Sequence, residues 1–170
     1  MIRTVDDAVD QAFQPLRRLK PANWTFYAAS EAADYSIAWH AISLAIAVVS
    51  PSRRRHAVRL AVMLGVESLA VNGGLKRLTR RARPALLDDR AYEVRRPKTS
   101  SFPSGHASSA ALAAVLLTDA VPRLRPLWVT LAAMVSASRI HNRMHHASDV
   151  AAGTALGTLL GRATKKLWPL

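Results

Sequence analysis

The chain has 170 residues, half of them hydrophobic, and a formal net charge of +13 from 24 Lys and Arg against 11 Asp and Glu. The length fits a single domain over residues 1–170, and so large an apolar fraction argues against disorder. Having no cysteine excludes a disulfide framework, cysteine-ligated zinc or iron–sulfur and a thiol nucleophile, while the positive balance points to nucleic acid, an anionic membrane surface or a phosphorylated substrate.

From Thr4 to Lys20 the apolar residues Val5, Val9, Ala12, Phe13, Leu16 and Leu19 recur at helical spacing, with Asp6, Asp7, Asp10, Arg17 and Arg18 on other faces. This spacing predicts an amphipathic helix lying on a membrane surface. The N-terminus lacks the basic start and apolar core of a signal peptide.

Further along, Tyr35–Ser52 carries no formal charge, and Leu60–Leu75 is apolar apart from Glu67 and Asn72. Thr99–Thr118, Pro126–Ser138 and Val150–Gly161 are also uncharged. A spanning helix wants ~20 mostly apolar residues, which the last two runs reach only with their flanks. The expected fold is all-α: an integral membrane helical bundle of one N-terminal amphipathic surface helix and about five transmembrane helices, near 34–50, 57–75, 105–121, 126–141 and 149–166. A soluble helical bundle is the alternative, supported by a mean hydropathy barely above zero. Against it stand apolar residues around nearly the whole helix circumference, the small-residue spacing of Gly153, Gly157 and Gly161, and cations at the ends of the runs. With five spans, residues 51–56, 122–125 and the C-terminus share one side, and residues 76–104 and 142–148 the other.

Three polar clusters fall on that second side. The first runs from Lys76 through Arg77, Arg80 and Arg81 to Arg83-Pro84; the second is Pro103-Ser104-Gly105-His106; the third is Ser138-Arg139, with His145 and Asp149 following. Lys76, Arg83 and Arg139 are suited to clamping phosphate oxygens. Ser104 and Gly105 precede a helix start, where free N–H groups favour an anion. The i, i+4 spacing of His145 and Asp149 allows the carboxylate to hold one imidazole nitrogen and leave the other as a nucleophile. Each cluster has an ordinary reading as well. The basic run suits a solvated or nucleic-acid-binding face, the second cluster is a turn with a helix cap, and His141, His145 and Asp149 have a metal-ligand spacing.

In this order, Lys-x6-Arg-Pro, Pro-Ser-Gly-His and Ser-Arg-x5-His-x3-Asp resemble the signature of the type 2 phosphatidic acid phosphatase (PAP2) superfamily. The resemblance implies a metal-independent lipid phosphatase with no cofactor, in which His106 protonates the leaving oxygen, His145 attacks phosphorus and is transiently phosphorylated, and Asp149 orients His145. It implies that Lys76, Arg83, Ser104, Gly105 and Arg139 bind the phosphoryl oxygens. His141 and His146 match no motif position; His141 reads as a helix-end packing residue or a head-group contact. Vanadium haloperoxidases share the motif set but are typically larger and soluble.

The implied partners are a bilayer and a membrane lipid phosphate, not nucleic acid. Family members act on phosphatidate, phosphatidylglycerophosphate, undecaprenyl diphosphate and lipid-linked sugar phosphates. Actinobacterial members acting on decaprenylphosphoryl-5-phosphoribose, in cell-wall arabinan synthesis, are similar in size and composition, which makes a polyprenyl-linked phosphomonoester the narrower expectation. The basic segment 76–98 suits a head group rich in negative charge or hydroxyls, and equally an anionic lipid surface. Arg53–Arg55, Arg123, Arg125, Arg162, Lys165 and Lys166 favour a cytoplasmic location for their side, and hence a plasma-membrane protein with an extracytoplasmic site.

Overall fold

The computed structural model of the protein describes residues 2–86, 92 and 96–170. Among them the structure is all-helical, with no strand. The long helices fall near the segments expected to be helical. Helix α3 covers Ile37–Val49, α4 Arg54–Ser68, α6 Gly105–Ala120, α7 Arg125–His141 and α8 Ala147–Leu167. Proline sets several of the breaks. Pro51 and Pro122 open the single turns Pro51–Arg53 and Pro122–Leu124, and Pro126 sits in the first turn of α7; a ring without an N–H fits a helix start and not its interior. Past Ser68, α4 widens into a π-helical stretch, Leu69–Leu75, then the short α5, Lys76–Leu78, so one helical rod runs from Pro51 to Leu78.

The centre of the bundle is α6. Its residues from Ala107 to Ala114, with Leu116, Leu117 and Ala120, are buried around the whole circumference, as expected of a helix ringed by others. Leu112, Leu116 and Leu117 join Trp39, Leu60, Leu64 and Trp128 in one core. The glycine stripe has a direct steric role. A Cβ on Gly153 or Gly157 would collide with the carbonyl oxygens of Ser104 and Ser108, so α8 approaches the α6 backbone closely only because both are glycine.

The rod Pro51–Leu78 is, among the described residues, the single straight helix long and apolar enough to cross a bilayer; α2, Lys20–Ala32, and the segment Asp34–Val49 qualify together but bend by 59°. Ile37, Leu44, Val48 and Val49 on α3, Val58, Val62 and Val66 on α4, Val129 on α7 and Leu159 on α8 point outward and are exposed.

The N-terminal helix α1, Ile2–Arg17, turns Asp6 and Asp10 toward the rest of the bundle. Asp6 is buried while Ile2, Val5 and Leu16 are exposed. Asp6 accepts hydrogen bonds from the Ser148 N–H at 2.8 Å and its hydroxyl at 2.9 Å, at the first turn of α8. Asp10 binds Arg17 at 2.6 Å and also Arg143. Hydrogen bonding to cations and to a helix N-terminus explains why carboxylates occupy the packed side. The opposite end of the bundle has its own ion cluster: Arg59 binds Asp119 at 2.5 Å and the Trp168 carbonyl at 2.9 Å, and Lys165 binds Asp119 at 2.9 Å.

Candidate active site

The end of α5, the start of α6, the end of α7 and the start of α8 lie at one end of the bundle. There they surround a cavity of about 560 Å³ lined by Lys76, Arg83, Gly105, His106, Arg139 and His145, among others. Six of the eight residues singled out from the sequence thus line one space. Ser104 and Asp149, both 0% exposed, stand behind that wall. Ser104 is the N-cap of α6, with its Oγ accepting from the Ala107 N–H at 3.4 Å. The first N–H groups of α6 beside it have no intrahelical carbonyl to satisfy them. Gly105 matters for space: a side chain there would lie 3.6 Å from Lys76 Nζ and 3.4 Å from Asn72 Oδ1.

His145 sits on the short connection between α7 and α8. Its Nδ1 lies 2.6 Å from the Ser101 carbonyl oxygen and 3.8 Å from Asp149 Oδ2. A carbonyl only accepts, so Nδ1 carries the proton and Nε2 the lone pair. That lone pair meets Arg83 Nη1 at 3.2 Å on the cavity side. Burial, reinforced by the positive charges of Arg139, Arg83 and Lys76 and partly opposed by Asp149, pushes the His145 pKa down to about 3. The ring is therefore neutral at physiological pH, as a nitrogen nucleophile requires.

Asp149 acts through a shell of donors. Its carboxylate accepts from Ser101 Oγ at 2.5 Å, the His146 N–H at 2.9 Å and Arg81 Nη1 at 2.7 Å. Arg81 also reaches Ser148 Oγ at 2.7 Å and Asp6 at 2.6 Å, tying α1 to the site. Arg83 is fixed by the Met144 carbonyl at 2.7 Å and the Thr99 and Ser100 carbonyls at 3.3 Å, and burial lowers its pKa. Arg139 is 2% exposed, bonds Ser30 Oγ through Nη1, and leaves Nε without a partner among the described residues.

His106 opens into the same cavity, with Nε2 at 2.8 Å from Asp34 Oδ1. Neither Asp34 nor Arg81 was assigned from sequence. Arg81 is one of several arginines in a non-periodic stretch, and Asp34 is a lone carboxylate ahead of an apolar run. The extra histidines are structural: His141 bonds Asn23 Oδ1 at 2.8 Å and stacks on Phe26 at 4.4 Å between centroids, and His146 caps α8. His141 thus turns away from His145 and Asp149, and among the described residues no three His, Asp or Glu side chains converge as metal ligands.

Two further hollows adjoin the cavity. A basic cleft of about 500 Å³ shares Lys76, Arg83, Pro97 and Thr99 with it and adds Arg77, Arg80, Arg96 and Lys98; Arg90 and Arg95 of the basic segment lie outside the described residues. An apolar groove between α3 and α4 shares His40 and Ala61 with the cavity and continues along Leu44, Ala47, Val48 and Val58.

The sequence profile of the PAP2 superfamily matches residues 56–169. The decaprenylphosphoryl-5-phosphoribose phosphatase of Mycolicibacterium smegmatis is 38% identical over 122 residues, which is 69% of this chain and 66% of that protein. Among solved structures, the transmembrane PAP2-type phosphatidylglycerolphosphate phosphatase of Bacillus subtilis superposes with a TM-score of 0.77 at 24% identity, covering 98% of this chain and 85% of the other. Aquifex aeolicus LpxE superposes with a TM-score of 0.73 at 21% identity, covering 92% and 93%.

Proposed function

We propose that this chain, which belongs to the PAP2 superfamily, is a membrane lipid phosphatase that hydrolyses a phosphomonoester without metal through a phosphohistidine at His145. The observation that carries this reading is the His145 Nε2 lone pair facing Arg83 at 3.2 Å inside a cavity that also holds Lys76, Arg139 and His106. Three cations and the α6 N-terminus supply the charge neutralisation that phosphoryl transfer needs. Nε2 of His145 attacks phosphorus as the P–O bond to the lipid breaks, and His106 gives a proton to the leaving oxygen. Water then attacks phosphorus, its proton passes to His106, and the N–P bond breaks to release phosphate. Asp149 holds the His145 end of the site through Ser101 and Arg81.

In this reading the bundle spans the plasma membrane with helices near 34–50, 57–75, 105–121, 126–141 and 149–166, and α1 lies at the surface. The outward apolar side chains of α3, α4, α7 and α8 suit contact with lipid. The cation-rich loops at 53–55 and 123–125 favour a cytoplasmic location for the end opposite the site. The substrate is a polyprenyl-linked phosphomonoester, and the name of the M. smegmatis relative points to decaprenylphosphoryl-5-phosphoribose. The apolar groove of α3 and α4 offers a place for the chain, and the basic cleft one for a second anionic group.

The test is phosphate release by purified protein in detergent with EDTA present, across a panel of lipid phosphates that includes a prenyl phosphoribose, phosphatidate and phosphatidylglycerophosphate. Release from the prenyl phosphoribose in preference to the others is expected. Release from none would refute the activity, and preference for a glycerolipid would refute the substrate.

A further inference from the structure

We propose that Asp34 is a positioning residue for His106, held against it by a strained corner between α2 and α3; the inference rests on the phosphatase reading above. The carboxylate and the imidazole come from elements 72 residues apart and meet at 2.8 Å. Both side chains line the cavity that contains His145, and both are partly open, 26% and 19% exposed. Asp34 precedes the matched residues 56–169, so this partner of His106 lies outside the matched family region.

The backbone around Asp34 gives the second observation. Tyr35 and Ser36 have φ of 53° and 60°. Consecutive non-glycine residues in the left-handed region are strained and persist where the surroundings impose them, often at functional sites. Here they make the 59° bend between α2 and the segment that follows. The bend carries Asp34 over the cavity instead of into either helix.

The chemistry follows from which nitrogen is taken. A carboxylate at Nε2 keeps the proton on that nitrogen and fixes the ring plane. In the imidazolium form, Nδ1–H then serves the leaving oxygen while Asp34 balances the charge. As the His145 N–P bond forms and the P–O bond breaks, the Nδ1 proton moves to the departing alkoxide. His106 is left neutral, with Nε2–H still on Asp34. Its Nδ1 lone pair takes a proton from the water that attacks the phosphohistidine, which restores the imidazolium. The two histidines are thus each anchored at one nitrogen, His145 by the Ser101 carbonyl and His106 by Asp34.

The experiment compares wild type and Asp34→Asn on an alkyl lipid phosphate and on p-nitrophenyl phosphate, whose leaving group needs no proton. General acid catalysis is worth about 10²–10⁴-fold, so Asp34→Asn is expected to lower kcat on the alkyl substrate about 10²-fold with little change in KM. First-turnover release of p-nitrophenolate should change by less than about 3-fold, because only the acid step is impaired. Equal losses on both substrates, or none on the alkyl one, would overturn the role of Asp34 while leaving the phosphatase reading intact. A wild type inert toward every phosphate would overturn both. Should Asp34→Asn fail to fold, ¹⁵N NMR of wild type decides: neutral His106 protonated at Nε2 supports the pairing, and protonation at Nδ1 overturns it.

Discussion

His145 anchors its Nδ1 on the Ser101 carbonyl at 2.6 Å, while the Asp149 carboxylate stands 3.8 Å away. The i, i+4 spacing suggested a direct carboxylate–imidazole bond. Instead, one residue serves both partners, since the Ser101 hydroxyl donates to Asp149 at 2.5 Å. The two variants at this junction should therefore differ. Ser101→Ala keeps the carbonyl that sets the His145 tautomer and loses one hydrogen bond to a charged group, which is worth about 1.5–3 kcal/mol; kcat is expected to fall about 10-fold. Asp149→Asn removes the charge at the centre of the cluster and should lower kcat about 10³-fold, within the range for a disabled acid–base group. Steady-state phosphate release measures both, and an equal effect would contradict the relay through Ser101.

Arg81 should prove as important to stability as to activity. It is shared by Asp6 and Asp149, which are 4% and 0% exposed. Removing one partner of a buried ion pair is strongly destabilising, by about 3–5 kcal/mol. Arg81→Ala should approach the lower end of that range, since both carboxylates keep other donors. Arg81→Lys should recover only part, because a single ammonium cannot reproduce a fork that reaches Asp6, Ser148 and Asp149. Thermal unfolding in detergent gives the order wild type, Lys, Ala; a Lys variant equal to wild type would show that the fork is unimportant.

Acid should weaken the fold in two windows. For both Asp6 and Asp10 burial raises the pKa; for Asp6 the hydrogen bonds from Ser148 and Arg81, and for Asp10 those from Arg143 and Arg17, outweigh it, leaving each below the ordinary 3.8. Their contribution is full above pH 3.8 and is lost as pH falls through the lower folded values. His145 works earlier: at about 3 in the fold against an ordinary 6.5, it is protonated in the unfolded chain first, so stability declines from pH 6.5 toward 3. His145→Gln should reduce the slope of the upper window and Asp6→Asn that of the lower. Tm measured from pH 7 to 3 tests the assignment, and unchanged slopes would refute it.

Packing of α8 on α6 should tolerate no side chain at Gly157. A methyl group there collides with the Ser108 backbone carbonyl, which cannot rotate away as a flexible side chain would. Overpacking of this kind costs about 1–3 kcal/mol. Gly157→Ala should lower Tm, whereas Gly65→Ala, with open space around its Cβ position, should not.

Much of this arrangement was legible in the sequence. Uncharged runs bounded α3, α6 and α7 to within a few residues, while the expected helix 57–75 takes in both α4 and the π-helical stretch after Ser68; the motif positions Lys76, Arg83, His106, Arg139 and His145 share one end. Three features were not legible. The helix α2 mixes Trp24, Phe26 and Tyr27 with polar residues and has no clean apolar stripe, so residues 21–33 gained no assignment. The phase of α1 depends on tertiary partners: Asp6 turns inward because Arg81 and the α8 N-terminus are there to receive it. Asp34 reaches His106 only through the positive-φ corner at Tyr35 and Ser36, which no local pattern announces.

The most direct test of the central claim is to trap the phosphoenzyme. Wild-type protein mixed with a ³²P-labelled lipid phosphate and quenched in base should carry acid-labile, base-stable label on His145, and His145→Gln should carry none and release no phosphate. Label on another residue, or phosphate release that survives His145→Gln, would contradict the mechanism.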